Sequence, residues 1–455
     1  MAGLSRAAPD ERIHRYFQPS RPRTLEVLWQ SALAAADLAR ISFSPSDPGL
    51  NRGHSQTPRL VPWTAGKRFA AHLPNMKSTV MLGQPSWVFA SDRVEAALSI
   101  VGGHLAPVIF ILGKRRVSPY FVAPWGIRTS VLKPPLMRIL RGDFFCLPLG
   151  NGSTLWRDEK HPQHGETANR KWNYAGIMRA IDGSVTLSCT LRTTTRPGTV
   201  EKHITLRAGH TAVYSRHVLR GFQGPMTCAH HPMLAFPENG EPAYISTSRF
   251  AHGQVCPRSF ENSARGGYSQ LAFGATFRSL RRVPLAVGGT IDLSRFPTPR
   301  GFVDMHMLSS PPDARLGWTA VSRPAEGYVW FALKDPRVLH HTVFWLQNGG
   351  RHYTPWNGIA SVLGVEDATT YFGLGLAESV RANPLSRRGF ATCLQLNPRR
   401  PTTINHISGI TSIPRGFGRV RTLRPVRGGI ELVAETGSRV FVPLDLTFLY
   451  QQTDS

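Results

Sequence analysis

Two histidines and one glutamate lie in sequence surroundings that could support proton transfer. His231 is followed by Pro232, and a proline restricts the preceding residue to an extended backbone, which fixes where the imidazole points. Glu366 lies in a Gly-rich, mostly apolar segment, where a carboxyl group needs a buried partner or a chemical task. His164 precedes Gly165 in a polar, loop-like stretch, and loops on a rigid sheet often carry recognition groups. These residue types suit general acid–base chemistry.

Several other residues could bind a polar ligand. Arg170 follows the His-Gly pair, Asp304 lies inside the apolar strand-like stretch RGFVDMHML, and Trp356 and Trp345 flank a Gly-rich turn. An acid inside an apolar strand needs a partner or a ligand. Each residue also has an ordinary structural interpretation: a solvated face for Arg170, a structural hydrogen bond for Asp304, and packing for Trp356.

The adjacent histidine pairs His230-His231 and His340-His341 suggest a metal site at first sight. Neighbouring residues on a strand point to opposite faces, so the two members of a pair cannot easily bind one ion. The chain has five cysteines, an odd number, and no C-x-x-C motif. We therefore expect no metal, no cofactor and no disulfide framework.

The elements that position these residues read as β-strands. Residues 97–112 form two apolar runs around a Gly-Gly turn, and residues 184–195 alternate polar and apolar side chains. Similar runs recur in GYVWFALKD, HHTVFWLQN and GIELVAETGSRVFVPLDLTFLY, whereas residues 375–382 are a short helix candidate. Many short strands separated by Gly and Pro turns predict an all-β protein built as a large antiparallel sandwich or barrel.

The order of the motifs resembles the galactose mutarotase-like (aldose 1-epimerase) superfamily, over roughly residues 87–450. An opening strand pair with a Gly-rich turn, IVGGHLAPV, comes first, followed by His164-Gly165 with Arg170 downstream. His231-Pro232, the strand residue Asp304 and the Gly-x-Glu segment ending at Glu366 follow in that order. Asp367 after the glutamate departs from the usual pattern and indicates a divergent branch. The resemblance implies a large antiparallel β-supersandwich of the galactose mutarotase-like type.

The resemblance also implies roles for individual residues. Glu366 would be the catalytic base and His231 the acid in an interconversion of sugar anomers. His164 would polarise the sugar near its ring oxygen, while Arg170 and Asp304 would bind hydroxyl or anionic groups. Trp356, or Trp345, would stack on the apolar face of the pyranose.

Two other functions stay open at this point. The first is a non-catalytic carbohydrate-binding protein. The second is a related hydrolase or lyase acting on acidic glycans, for which Glu166 with Glu366 is the one tempting pair of carboxylates. A glycosidase needs two such groups about 5–10 Å apart across the scissile bond.

The first 75 residues differ in composition from the remainder. They are rich in Arg, Pro and Ser, and we expect residues 1–75 to be a disordered N-terminal extension. Residues 76–455 are expected to form one mutarotase-like β-sandwich domain, and Met76 followed by Lys77 could be the natural start of the protein or of the domain.

The net charge of +26 invites a nucleic-acid interpretation. However, 46 of the 54 basic residues are arginines spread along the whole chain, with no basic helix or tail. We expect a small-molecule sugar as the partner, with neither nucleic acid nor membrane, and a cytoplasmic location. The oligomeric state does not follow from the sequence.

Overall fold

β-Strands are the dominant regular secondary structure of the described residues. The computed structural model of the protein describes residues 69–73, 76–127, 132, 135–237 and 240–452. The expected N-terminal extension falls on residues outside these ranges, apart from the first strand. That strand precedes Met76, so β-structure begins before the boundary expected from composition.

The strands are numbered in chain order. The first group is β1 (Phe69–Leu73), β2 (Thr79–Met81), β3 (Gln84–Ala90), β4 (Val94–Ser99), β5 (Leu105–Leu112), β6 (Arg115–Val117), β7 (Phe145–Cys146), β8 (Asn173–Ala180), β9 (Val185–Thr193) and β10 (Gly198–Leu206). The second group is β11 (Ala212–Arg220), β12 (Gly224–Met226), β13 (Cys228–His230), β14 (Met233–Ala235), β15 (Ala243–Thr247), β16 (His252–Val255), β17 (Thr276–Phe277), β18 (Val283–Pro284), β19 (Thr290–Ile291) and β20 (Arg295–Phe296). The third group is β21 (Phe302–Ser309), β22 (Gly317–Arg323), β23 (Tyr328–Lys334), β24 (His341–Asn348), β25 (Ser361–Thr369), β26 (Leu394–Leu396), β27 (Thr402–Ser412), β28 (Val420–Val426), β29 (Gly429–Ala434) and β30 (Arg439–Pro443).

Helices are few and short in the described residues. The single α-helix there, α1, spans Leu376–Val380, inside the stretch that the sequence marks as a helix candidate. The 3₁₀ helices are Pro124–Ile127, Pro135–Arg138, Glu166–Ala168, Ser263–Arg265, Ser386–Arg388 and Leu446–Tyr450. Among these described helices, none is long and apolar enough to cross a membrane.

Two large antiparallel sheets form the body of the protein. The first has ten strands in the order β1-β8-β9-β10-β11-β27-β23-β22-β15-β20, and the second has eight, β17-β16-β21-β24-β25-β13-β7 with β14 also paired to β25. One continuous hydrophobic cluster contains side chains of both sheets, including Leu187 and Ile404 from the first and Phe344 and Val365 from the second. The predicted all-β class and antiparallel sandwich are confirmed.

Besides the two-stranded pairs β12-β26 and β18-β19, two smaller sheets accompany the sandwich. Strands β2 to β6 form a five-stranded sheet, in which β4 and β5 are the two strands expected around the Gly-Gly turn. Strands β28 to β30 form a three-stranded sheet whose apolar residues pack with Val329, Phe331 and Leu333 of β23. Because Trp330 of the same strand belongs to the central cluster, β23 is buried on both faces, which explains its unbroken apolar sequence.

The site described below sits on the eight-stranded sheet. Strands β21, β24 and β25 are neighbours there, and β13 pairs with the C-terminal end of β25. Chain segments far apart in sequence are thereby brought to one face.

Candidate functional site

A pocket of about 710 Å³, including the open space at its mouth, lies on this face of the eight-stranded sheet. Strands β21, β24 and β25 supply part of its wall, and the segments around residues 136–140, 151–164 and 351–356 supply most of the remainder. The lining residues are Leu136, Met137, Leu140, Asn151, Gln163, His164, His231, Met233, Phe260, Met305, Trp345, Arg351, Trp356, Glu366 and Gly373.

His231 and Glu366 meet in this pocket. His231 Nε2 lies 3.2 Å from Glu366 Oε1, and both side chains are almost fully buried. The strand register explains the contact, because His230 at the end of β13 is paired with Asp367 on β25. The next residue of each strand toward the pocket is then His231 on one side and Glu366 on the other.

Burial shifts the pKa values of these two groups in opposite directions. Desolvation raises the pKa of Glu366 to about 8 and lowers the pKa of His231 to about 4, because burial disfavours the charged form of each. Burial therefore favours the protonated carboxyl of Glu366 and the neutral imidazole of His231. An acid and a base with separated pKa values, in contact inside a cleft, are typical of catalytic groups.

His164 stands edge-on to His231 in the same pocket. The two ring centroids are 5.1 Å apart with an interplanar angle of 88°, and burial holds the pKa of His164 well below its ordinary value. Among the described residues, nothing hydrogen-bonds to its Nδ1. The backbone that presents this ring needs the glycine that follows, because Gly165 has φ of 79° and a Cβ there would lie 2.0 Å from the carbonyl oxygen of Leu147.

Two tryptophans form an aromatic wall beside the pair. Trp345 and Trp356 are 5.6 Å apart in edge-on contact, and Trp345 lies 6.5 Å from His231. The guanidinium group of Arg351 lies over both indoles, at 5.1 and 4.8 Å from their centroids. Arg351 is itself held by Glu261, with Nε donating to Oε1 at 2.7 Å.

Asp304 lies outside the pocket lining. Its Oδ1 accepts the backbone N–H groups of Gln270 and Leu271, at 3.0 and 3.1 Å. The next residue on β21, Met305, lines the pocket, and alternate residues of a strand face opposite sides. The geometry gives Asp304 a structural task, holding the loop before the strand, in place of the sugar contact that the resemblance implies.

Arg170 and Glu166 are also outside the pocket lining. Arg170 Nη1 donates to Glu166 Oε1 at 2.7 Å, and Glu166 Oε2 accepts the backbone N–H groups of Thr194 and Thr195 at 2.8 and 3.0 Å. These contacts fix the loop that carries His164. Neither residue is placed to bind a ligand in the pocket.

No protein-family model matches the chain, and no curated protein matches it. A provisionally assigned aldose 1-epimerase from Escherichia coli K12 is similar to it at 12% identity and a TM-score of 0.48, over 72% of this chain and 99% of that one. Its counterpart from Klebsiella pneumoniae has 12% identity and a TM-score of 0.49, over 73% and 80%. A galactose mutarotase-like protein from Clostridium acetobutylicum has 13% identity and a TM-score of 0.47, over 74% and 98%.

The pocket brings together four of the six residues that the resemblance points to: His164, His231, Trp356 and Glu366.

A buried ionic network lies behind the pocket, between the two large sheets. Asp367 accepts from Lys334 Nζ at 2.9 Å and contacts His406 Nε2 at 3.0 Å. The ring of His406 stacks on that of His230 at 4.4 Å, and His230 Nδ1 lies 3.2 Å from Asp143 Oδ2. Lys334 and His406 belong to the ten-stranded sheet, so the network ties the two sheets together.

The network also holds the backbone of the pocket histidine. The N–H of His231 donates to Asp143 Oδ1 at 2.9 Å. Sequence analysis missed Asp143, which lies in the stretch LRGDFF, where a lone acid beside two aromatic residues was the one available signal.

Three members of this network could in principle hold a metal ion. Ligand atoms of Asp143, His230 and His406 lie within 4.8 Å of one another, and all three residues are buried. Each already has a protein partner in the contacts given above, and the pKa of Asp143 is lowered, against the effect of its burial, by His230, His406 and Lys202. The chemistry of this donor set fits a hydrogen-bonded ionic cluster better than a metal centre.

Three further polar side chains of the pocket went unnoticed in the sequence. Asn151 and Gln163 come from the loop that ends at the His-Gly turn, and Arg351 follows the Gly-Gly turn after β24. Nothing in their local patterns separates them from ordinary loop residues. Only the folded arrangement brings them to the site.

Proposed function

We propose that this protein binds a free aldose in the pocket and interconverts its anomers by proton transfer through His231 and Glu366. The observation that supports the proposal is the 3.2 Å contact between these two groups. Opening the ring requires a proton to leave the anomeric hydroxyl and another to reach the ring oxygen. Both oxygens are bonded to the same carbon, so the acid and the base must stand side by side.

The proton content of the pair fits this reaction. Glu366, whose pKa is raised to about 8, gives its proton to the ring oxygen, and His231, whose pKa is lowered to about 4, takes the proton of the anomeric hydroxyl. The bond from C1 to the ring oxygen breaks and the carbonyl at C1 forms. This assignment reverses the starting roles that the family resemblance implies.

Ring closure returns the pair to its starting state. Rotation about the C1–C2 bond presents the other face of the carbonyl, the protonated histidine gives its proton back to the new anomeric oxygen, and the glutamate regains its own. No net proton is consumed. Each positioned acid or base contributes roughly 10²–10⁴-fold to such a step.

The remaining pocket groups suit a sugar. His164 stands next to His231 with Nδ1 lacking a partner among the described residues, so it can hydrogen-bond to a sugar oxygen. Trp345 and Trp356 offer indole surfaces to the apolar face of a pyranose. The described lining contains a single carboxylate, Glu366, which disfavours hydrolysis by a pair of carboxylates.

The test measures the rate of anomer exchange by NMR for a panel of aldoses. Glu366→Gln and His231→Asn are each expected to lower the catalysed rate by at least 10²-fold while the protein stays folded. Glu435→Gln, at a half-exposed position outside the pocket, is the matched control and is expected to leave the rate unchanged. Sugar binding with no exchange above the spontaneous rate would identify a carbohydrate-binding protein instead, and unchanged exchange in both pocket variants would refute the mechanism.

A further inference from the structure

Much of the pocket wall is apolar. Leu136, Met137 and Leu140 line it from one short segment, and they belong to the same hydrophobic cluster as Trp345 and Trp356. Phe260 and Met305, both only partly buried, pack against that cluster and line the pocket as well. The two indoles alone would be enough to stack on one face of a pyranose, so the pocket has more apolar side chains than that contact requires.

The polar side chains of the pocket lining are outnumbered by the apolar and aromatic ones. His231 and Glu366 are committed to the anomeric carbon in the proposed reaction, and Arg351 is held by Glu261. Asn151, Gln163, His164 and the indole N–H of Trp345, which has no partner among the described residues, then remain for the other hydroxyls. A hydroxyl buried against apolar side chains without a partner costs free energy, so a fully hydroxylated hexose matches this wall poorly.

We infer that the sugar taken by this pocket carries an aliphatic substituent, an alkyl or acyl chain on a hydroxyl other than the anomeric one. The chain packs against Met137, Leu140, Phe260 and Met305, while the reducing end reaches His231 and Glu366. Two of these contacts are methionines, whose unbranched side chains adapt to the shape of a flexible chain. The inference rests on the proposed sugar site but does not require turnover.

Matched sugar ethers test the inference. The probes are the mono-O-methyl and mono-O-hexyl ethers of D-glucose and D-galactose at each hydroxyl other than the anomeric one, titrated against tryptophan fluorescence and by calorimetry. Each buried methylene tightens binding by about fourfold. At least one hexyl ether is expected to bind ten or more times as tightly as its methyl counterpart, and equal affinity in every pair would overturn the inference.

Variants locate the effect. Phe260→Ser and Met305→Gln, both at partly buried positions, are expected to bring the hexyl-to-methyl affinity ratio down toward one while changing methyl-ether affinity little. Phe273→Ser is the matched control, because Phe273 is an exposed phenylalanine outside the pocket lining, and it should keep the full ratio. A ratio that survives both pocket variants would also overturn the inference.

The inference and the proposed function can fail separately. Glu366→Gln is expected to keep the hexyl-to-methyl ratio while losing anomer exchange. If the natural protein catalyses anomer exchange but its hexyl-to-methyl affinity ratio is one, the proposed reaction is supported and the aliphatic substituent is refuted. If the hexyl-to-methyl affinity ratio is large but no anomer exchange is catalysed, the aliphatic substituent is supported and the proposed reaction is refuted.

Discussion

Burying Glu366 costs stability, and the cost depends on pH in a way that can be measured. Its side chain is almost completely enclosed, and burial raises its pKa from 4.5 to about 8. In the unfolded chain the same carboxyl group ionises near its ordinary value. Between these two values the folded protein keeps a proton that the unfolded chain releases, so folding becomes less favourable as pH rises. Replacing Glu366 by Gln removes the ionisation and with it the dependence on pH.

The size of the effect follows from the separation of the two pKa values. Each pH unit between them changes the free energy of unfolding by about 1.4 kcal/mol. The favourable contribution of the protonated carboxyl is complete below pH 4.5 and is lost as pH rises through about 8, a total on the order of 5 kcal/mol. Relative to the natural protein, Glu366→Gln should therefore gain about 4 kcal/mol between pH 5 and pH 9.

Urea unfolding at pH 5, 7 and 9 measures this gain, with the ten tryptophans of the chain as fluorescent reporters. The control is Glu435→Gln, whose carboxylate is half exposed and pairs with Arg281 at 2.9 Å. An exposed ion pair is worth little, so the control should show a difference below about 1 kcal/mol at every pH. If Glu366→Gln has the same advantage at pH 5 as at pH 9, then Glu366 ionises normally in the fold and cannot be the acid of the proposed reaction.

Three further outcomes are expected. Anomer exchange should be fastest between about pH 4 and pH 8, because His231 gains a proton below this range and Glu366 loses one above it. The pH profile of kcat/KM measures this dependence, and a flat profile would contradict it. Asp304→Ala should lower the free energy of unfolding by about 1.5–3 kcal/mol while leaving sugar affinity unchanged. A loss of sugar affinity in calorimetry would instead indicate that Asp304 contacts the sugar. Asp367→Asn leaves the Lys334 ammonium buried without its counter-ion, so urea unfolding should show a loss of about 3–5 kcal/mol, and a neutral result would refute the ionic network.

The strands were accessible from the sequence because their patterns are local. The alternation over residues 184–195 corresponds to β9, and the apolar runs GYVWFALKD and HHTVFWLQN correspond to β23 and β24. Their pairing was not accessible. The packing of strands β28 to β30 against the far side of β23 follows from tertiary contacts between segments that are remote in sequence.

The same distinction between local pattern and tertiary pairing applies to the site residues. Glu366 and His231 could be selected from their neighbours, since a carboxyl in an apolar run and a histidine before proline are unusual locally. Asp304 looked equally unusual, yet it faces away from the pocket that Met305 lines. Which of two adjacent strand residues points to the site depends on the register with the neighbouring strand, and a single sequence does not contain that information.

Adjacent polar residues on β25 and at the end of β13 serve two different sides of one sheet. Glu366 and His231 belong to the cavity, whereas Asp367 and His230 belong to the charged interior. Inserting or deleting one residue within β25 would exchange these assignments, leaving the lysine behind the sheet without a counter-ion and the cavity with the wrong acid. Over evolutionary time, length changes in this protein should accumulate in its surface loops, and this strand should keep a fixed number of residues.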